Sequence, residues 1–133
     1  MRIITLTGPA NSGKTTTLKA LYVKLLSVSD GTIEDPKICA NSSRDEEYYF
    51  WYKGKQVAIV TMGDIALEMV WHFGIYCQKG ADVLIIANSN KSWPLYFIGW
   101  HKECLTHYEN VYIESDINSS MQKLITALNG AVE

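Results

Sequence analysis

Long apolar runs are missing from this 133-residue chain. No stretch approaches the ~20 consecutive apolar residues that a membrane-spanning helix requires, so no membrane partner is expected. Strong charge of either sign is missing as well. A net charge of −2 gives no broad basic field for DNA, RNA or an anionic surface, and nucleic acid is not indicated. Cysteine is scarce: Cys39, Cys77 and Cys104 form no CxxC pair and no zinc-type spacing, which predicts reduced thiols. Only five residues separate Arg2 from Gly8, too few for the apolar core of a leader, and the expected location is the cytoplasm. Arginine is limited to Arg2 and Arg44. There is no internal repeat, low-complexity segment or linker, so residues 1–133 read as a single domain.

What remains is an alternation of strand-like and helix-like segments. Residues 2–7 are β-branched and apolar, as in a buried strand. Residues 14–27 carry Leu18, Leu21, Tyr22 and Leu25 at helical spacing. Residues 28–47, with Asp30-Gly31, Asp35-Pro36 and a polar run from Asn41, read mostly as loop, with a short strand at 37–40. Residues 48–53 and 55–62 flank Gly54 and predict an antiparallel hairpin. A helix is expected over 65–79 and capped by Gly80, a strand over 82–87 and a helix over 93–107. A last strand over 110–114 and a last helix capped by Asp116 or Asn118 and ended by Gly130 complete the order. Strands alternating with helices imply a mainly parallel sheet with helices on both faces.

The chemistry is concentrated between the first strand and the first helix. Gly8-Pro9-Ala10-Asn11-Ser12-Gly13-Lys14-Thr15 fits the pattern GxxxxGK[ST] without a departure. Gly8 and Gly13 permit backbone conformations that a side chain would block, so the loop can turn its N–H groups inward around phosphates. Lys14 is expected to reach the β- and γ-phosphates, and the Thr15 hydroxyl to bind Mg²⁺. A chance match in such a chain has odds of roughly one in a few hundred, and a strand before and a helix after the loop lower them further.

The motif and the strand order resemble the P-loop nucleoside triphosphatases and kinases. The run Val-Ala-Ile-Val-Thr-Met-Gly63-Asp64, followed by a helix and Gly-Ala-Asp-Val-Leu-Ile-Ile-Ala, is similar to small bacterial and phage ATP-binding P-loop proteins. The resemblance implies a three-layer α/β P-loop fold with about five strands, mainly parallel with one antiparallel hairpin strand. It places Thr16 near the α-phosphate. It also implies an acidic metal ligand at the carboxyl end of an apolar strand beside the loop strand. Asp64 fits that position, and it also suits a helix N-cap. Asp82 sits at the wrong end of its strand, and Glu68 is read as a solvated helix residue.

Arg44, in the long polar segment, is the candidate cation for a γ-phosphate or a substrate phosphate, or else a surface partner of Asp45 or Glu47. The arginine-rich lid of many nucleoside monophosphate kinases is absent. Lys91, Lys102 or a protein partner, including a second copy of the chain, would have to substitute. Asn90-Lys91 matches part of the guanine-reading motif of Ras-like GTPases, but Trp93 stands where its aspartate belongs. An indole cannot accept hydrogen bonds from guanine, so adenine is the expected base. His72, His101 and His107 fall on predicted helices without metal-like spacing and are expected to be structural or exposed. The aromatic run 48–52 is expected to alternate between core and surface. The reading is therefore an ATP- and Mg²⁺-binding protein that hydrolyses ATP or transfers its phosphoryl group to a small acceptor such as a nucleotide. Lys14, Asp64 and Arg44 would act in catalysis. The alternative is a slow nucleotide-operated switch acting on a protein partner.

Overall fold

The computed structural model describes residues 1–39, 44–62, 66–89 and 104–133. Its strands are β1 (Arg2–Thr7), β2 (Thr32–Ile38), β3 (Glu46–Tyr52), β4 (Lys55–Val60), β5 (Val83–Asn88) and β6 (His107–Tyr112). Three helices lie among the described residues: α1 (Lys14–Leu26), α2 (Ala66–Lys79) and α3 (Ile117–Val132). The strands form one sheet in the order β2-β3-β4-β5-β1-β6. Two antiparallel ladders, β2–β3 and β3–β4, run into three parallel ones, β4–β5, β5–β1 and β1–β6.

This corrects the expected three-layer P-loop sheet of about five mainly parallel strands with one antiparallel hairpin strand. The sheet has six strands and is mixed. The extra strand, β2, comes from the segment read as loop. Its Asp35-Pro36 pair would break a central strand, but β2 is an edge, where proline's missing N–H need meet no neighbour. The ladder to β3 is irregular at that point, with register shifts between Thr32 and Glu34 and between Glu34 and Lys37. The β3–β4 turn forms as its glycine demands. Lys53 and Gly54 have φ of 51° and 77°, the two positive values of a type I′ turn.

Side-chain alternation explains how the central strands are covered on both sides. Ile4 and Leu6 of β1, Val57 and Ile59 of β4, and Val83 and Ile85 of β5 join Leu18, Leu21 and Leu25 of α1 and Leu124 and Leu128 of α3. The intervening residues Ile3, Ala58, Val60, Leu84 and Ile86 join Met69, Phe73 and Tyr76 of α2. Period-two strands facing helices on either side bury nearly every position, which is why these runs are continuously apolar. The aromatic run departs from simple alternation: Tyr48, Tyr49, Phe50 and Tyr52 are buried and Trp51 alone is exposed. Tyr22 of α1 stacks on Tyr48 with ring centroids 3.9 Å apart.

Other expectations shift in detail. Gly80 does cap α2 in the left-handed region at φ 81°, with Ala81 N–H bonded to the Tyr76 carbonyl. Asp116 caps α3 through Ser119 N–H, and α3 runs past Gly130 to Val132. The last strand starts three residues early, at His107, so that histidine is a strand residue and not a helical one. The thiols are not all reduced: Cys77, near the end of α2, is bonded to Cys104, ahead of β6. The separation of 27 residues hides a Cα–Cα distance of 6.2 Å, because the chain end pins this segment. The Met1 ammonium donates to the Cys104 carbonyl at 2.6 Å, and Thr106 N–H donates to the Met1 carbonyl. No helix among the described residues is long and apolar enough to cross a membrane.

Candidate functional site

The loop after β1 is held from both sides. Gly8 N–H donates to the Asn88 carbonyl at the end of β5, and Ile113 N–H donates to the Thr7 carbonyl. Below it, Asn88 Nδ2 donates to the Thr7 hydroxyl, and the Thr5 and Thr7 hydroxyls both donate to Asn110 Oδ1. These polar contacts are buried or partly buried, so the parallel strands β5, β1 and β6 are fixed together directly under the loop. Gly8 has no room for a side chain: a Cβ there would meet Ile113 Cγ2 at 2.5 Å and Ser12 Oγ at 2.8 Å. Asn11 and Gly13 have φ of 60° and 92°. This left-handed pair bends the chain back before α1 begins.

Lys14 then folds over the loop. Its ammonium donates to the carbonyls of Gly8 at 2.9 Å and Pro9 at 2.7 Å, and the side chain is buried. No side chain caps the first turn of α1, and that turn contains no acidic residue. The positive end of the helix dipole is therefore not neutralised by the helix's own side chains. Ala10, Asn11, Ser12, Gly13, Lys14, Thr15 and Thr16 line a cavity of about 410 Å³ together with Lys19, Arg44, Thr61 and Ala87. Pro9 is exposed beside it. Ser12 Oγ is buried without a hydrogen-bond partner, a polar atom left over on the loop itself.

Arg44, singled out from sequence, is thus at the loop, and the Lys19 ammonium holds its carbonyl at 2.8 Å. Asp64 falls outside the described residues, as do Asn90, Lys91, Trp93, His101 and Lys102. The carboxylate found at Thr15 is another one. Asp45 Oδ1 accepts from the Thr15 hydroxyl at 3.2 Å and from the Thr61 hydroxyl at 3.0 Å. Thr61 is in turn tied to the start of β3, accepting from Glu46 N–H and donating its own N–H to the Glu46 carbonyl. Because β3 is antiparallel to β4, its first residues lie at the carboxyl edge of the parallel strands, beside the loop. Sequence reasoning looked only at strands ending at that edge and passed over a strand that begins there. Asp82, judged to be at the wrong end, indeed accepts from Gln56 N–H at 2.8 Å at the opposite edge.

Comparison with protein-family models, with curated proteins and with solved structures returned no match for this chain.

Proposed function

We propose that the chain binds a magnesium nucleoside triphosphate, ATP by preference, in the loop between β1 and α1, and cleaves its terminal phosphate by hydrolysis or by transfer to a small acceptor. The observation that carries this reading is the 410 Å³ cavity. It joins an uncapped helix N-terminus, the Lys14 ammonium and the Thr15 hydroxyl within reach of the Asp45 carboxylate. Loop amides and the helix end suit a polyphosphate, and a hydroxyl paired with a carboxylate suits Mg²⁺. In this reading the Lys14 ammonium exchanges contacts with the loop carbonyls for phosphate oxygens. Thr15 and Asp45 would be the residues to hold the metal. Arg44 and Lys19 supply cationic charge over the terminal phosphate. Asp64 keeps its place as the carboxylate proposed from sequence alone.

The test is equilibrium binding of ATP, ADP and GTP with and without Mg²⁺, followed by product analysis with candidate acceptors. Magnesium-dependent ATP binding lost in Lys14→Ala supports the proposal, and equal binding by both proteins contradicts it.

A second reading, a slow nucleotide-operated switch, draws on one further observation. The short segment between β2 and β3 touches the site twice, through Arg44 and Asp45. A γ-phosphate and its metal would compete for these same groups, so the segment would differ between the triphosphate and diphosphate states. Turnover separates the two readings: an acceptor-dependent rate marks the kinase, and slow turnover with state-dependent protease cleavage near Arg44 marks the switch.

A further inference from the structure

A second cluster of chemically active side chains lies on the α2 side of the sheet. Cys39 follows β2, Glu47 is on β3 and His72 is on α2. All three are buried, at 2%, 7% and 1% exposure. Their sulfur, carboxylate oxygen and ring nitrogen lie within 4.8 Å of one another. They are separated by 8 and 25 residues in the chain, so no spacing in sequence announces them.

The hydrogen bonds around the cluster leave its centre rich in lone pairs. His72 Nδ1 lies 2.8 Å from the Glu68 carbonyl, an acceptor only, so Nδ1 carries the proton. Nε2 then points inward. It lies 3.4 Å from Glu47 Oε2, at ion-pair distance. Glu47 Oε1 accepts from the Tyr76 hydroxyl at 2.5 Å, which orients the carboxylate. The Cys39 sulfur faces the Met62 backbone N–H and feels the charges of Glu47, Asp45 and Glu68. Glu68, one turn before His72 on α2, keeps a buried Oε2 without a partner. The nearby cation, Lys37, is occupied at the surface by Glu34 at 3.3 Å. A ring nitrogen, a carboxylate and a sulfur packed this closely and this deeply need a positive charge shared between them, a proton or a metal ion.

We propose that Cys39, Glu47 and His72 coordinate a Zn²⁺ ion, with the buried, unpartnered Glu68 carboxylate oxygen as the candidate fourth donor. The donor set is the sulfur, imidazole and carboxylate mixture that Zn²⁺ accepts and Mg²⁺ does not. A histidine whose other nitrogen is fixed by a carbonyl, and a carboxylate fixed by a tyrosine, are the outer contacts such a site requires. Coordination converts the Cys39 thiol to a thiolate and releases its proton to solvent. The site is structural in kind: it joins the end of the edge strand and the start of β3 to α2. It stands independently of the nucleotide reading.

Titration of the purified, metal-stripped chain with Co²⁺, without nucleotide and with the Cys77–Cys104 bond intact, tests this. Expected are saturation at one equivalent, a sulfur-to-cobalt charge-transfer band, displacement by Zn²⁺ and no displacement by excess Mg²⁺. Cys39→Ser abolishes the band. Tyr76→Phe, which keeps all the ligands, weakens binding by about 10- to 100-fold. Zn²⁺ raises the thermal midpoint of wild type but not of Cys39→Ser. Absence of the band in folded wild-type protein, or its persistence in Cys39→Ser, overturns the assignment and leaves an imidazolium–carboxylate pair beside a protonated thiol.

Discussion

The Thr15 hydroxyl donates a hydrogen bond to Asp45 Oδ1 across 3.2 Å, although 30 residues of chain separate the two. That contact joins the first turn of α1 to the start of β3, and it sets the carboxylate where a metal bound by Thr15 would meet it. Asp45→Asn preserves the shape and one acceptor oxygen but removes the charge. Nucleotide binding by this variant is expected to persist while its enhancement by Mg²⁺ disappears, as read from binding isotherms with and without the metal. A wild-type response to Mg²⁺ would remove Asp45 from the metal's surroundings.

Gly8 and Gly13 fail for different reasons when given a side chain. In Gly8→Ala the new methyl meets Ile113 and Ser12 inside 3 Å, so the loop must open and nucleotide affinity falls. In Gly13→Ala nothing lies nearer than Ile113 Cδ1 at 4.0 Å, but a φ of 92° costs a non-glycine residue about 1–2 kcal/mol. Denaturant unfolding of both variants, set beside their nucleotide affinities, separates steric opening from backbone strain.

Leu18 is fully buried where α1 meets the sheet, two residues beyond the loop's last predicted contact, Thr16. Leu18→Ala is expected to destabilise the fold by about 2–5 kcal/mol. Val23, on the outer face of the same helix at 68% exposure, should tolerate alanine within about 0.5 kcal/mol. Equal midpoints for the two variants would contradict the assignment of helix faces.

The edge strand carries a pH-dependent contact. The hydrogen bond from Lys79, at 3.0 Å, holds the Glu34 carboxyl below its ordinary value of 4.5; partial burial opposes this, and Lys37 assists. A folded-state value below the unfolded one means that the contribution is complete above about pH 4.5 and is lost as pH falls through the depressed value. The side chain is 35% exposed, so the contribution is about 0–1 kcal/mol and weakens with salt. Glu34→Gln should lower stability at neutral pH by that amount and leave it unchanged below the depressed value, which flattens the acid limb of the stability curve.

The candidate loop was legible because its eight residues are contiguous and each fixed position answers a local demand, so reading along the chain suffices. The central strands were legible for a related reason: β4 and β5 are buried on both faces and read as unbroken apolar runs. Several features were hidden by physics that acts across the sheet. Pro36 argues against a strand only if the strand has neighbours on both sides, and β2 does not. Asp45 reaches Thr15 because β3 runs against its neighbour, which no local pattern announces. Cys39, Glu47 and His72 meet because three elements converge, and Cys77 meets Cys104 where the Met1 ammonium and carbonyl hold the segment before β6. His107 closes a helix expected to start from a Ser92 cap, whereas pairing with Arg2 makes it the first residue of β6.

The most direct test of the central claim is calorimetric titration of ATP into wild type and Lys14→Ala in the presence of Mg²⁺. Removing the buried ammonium should cost the charged contacts to phosphate, a weakening of about 10- to 100-fold, with the fold retained by circular dichroism. Equal affinity in the two proteins, or no heat in either, would contradict a polyphosphate seated in the turn between β1 and α1.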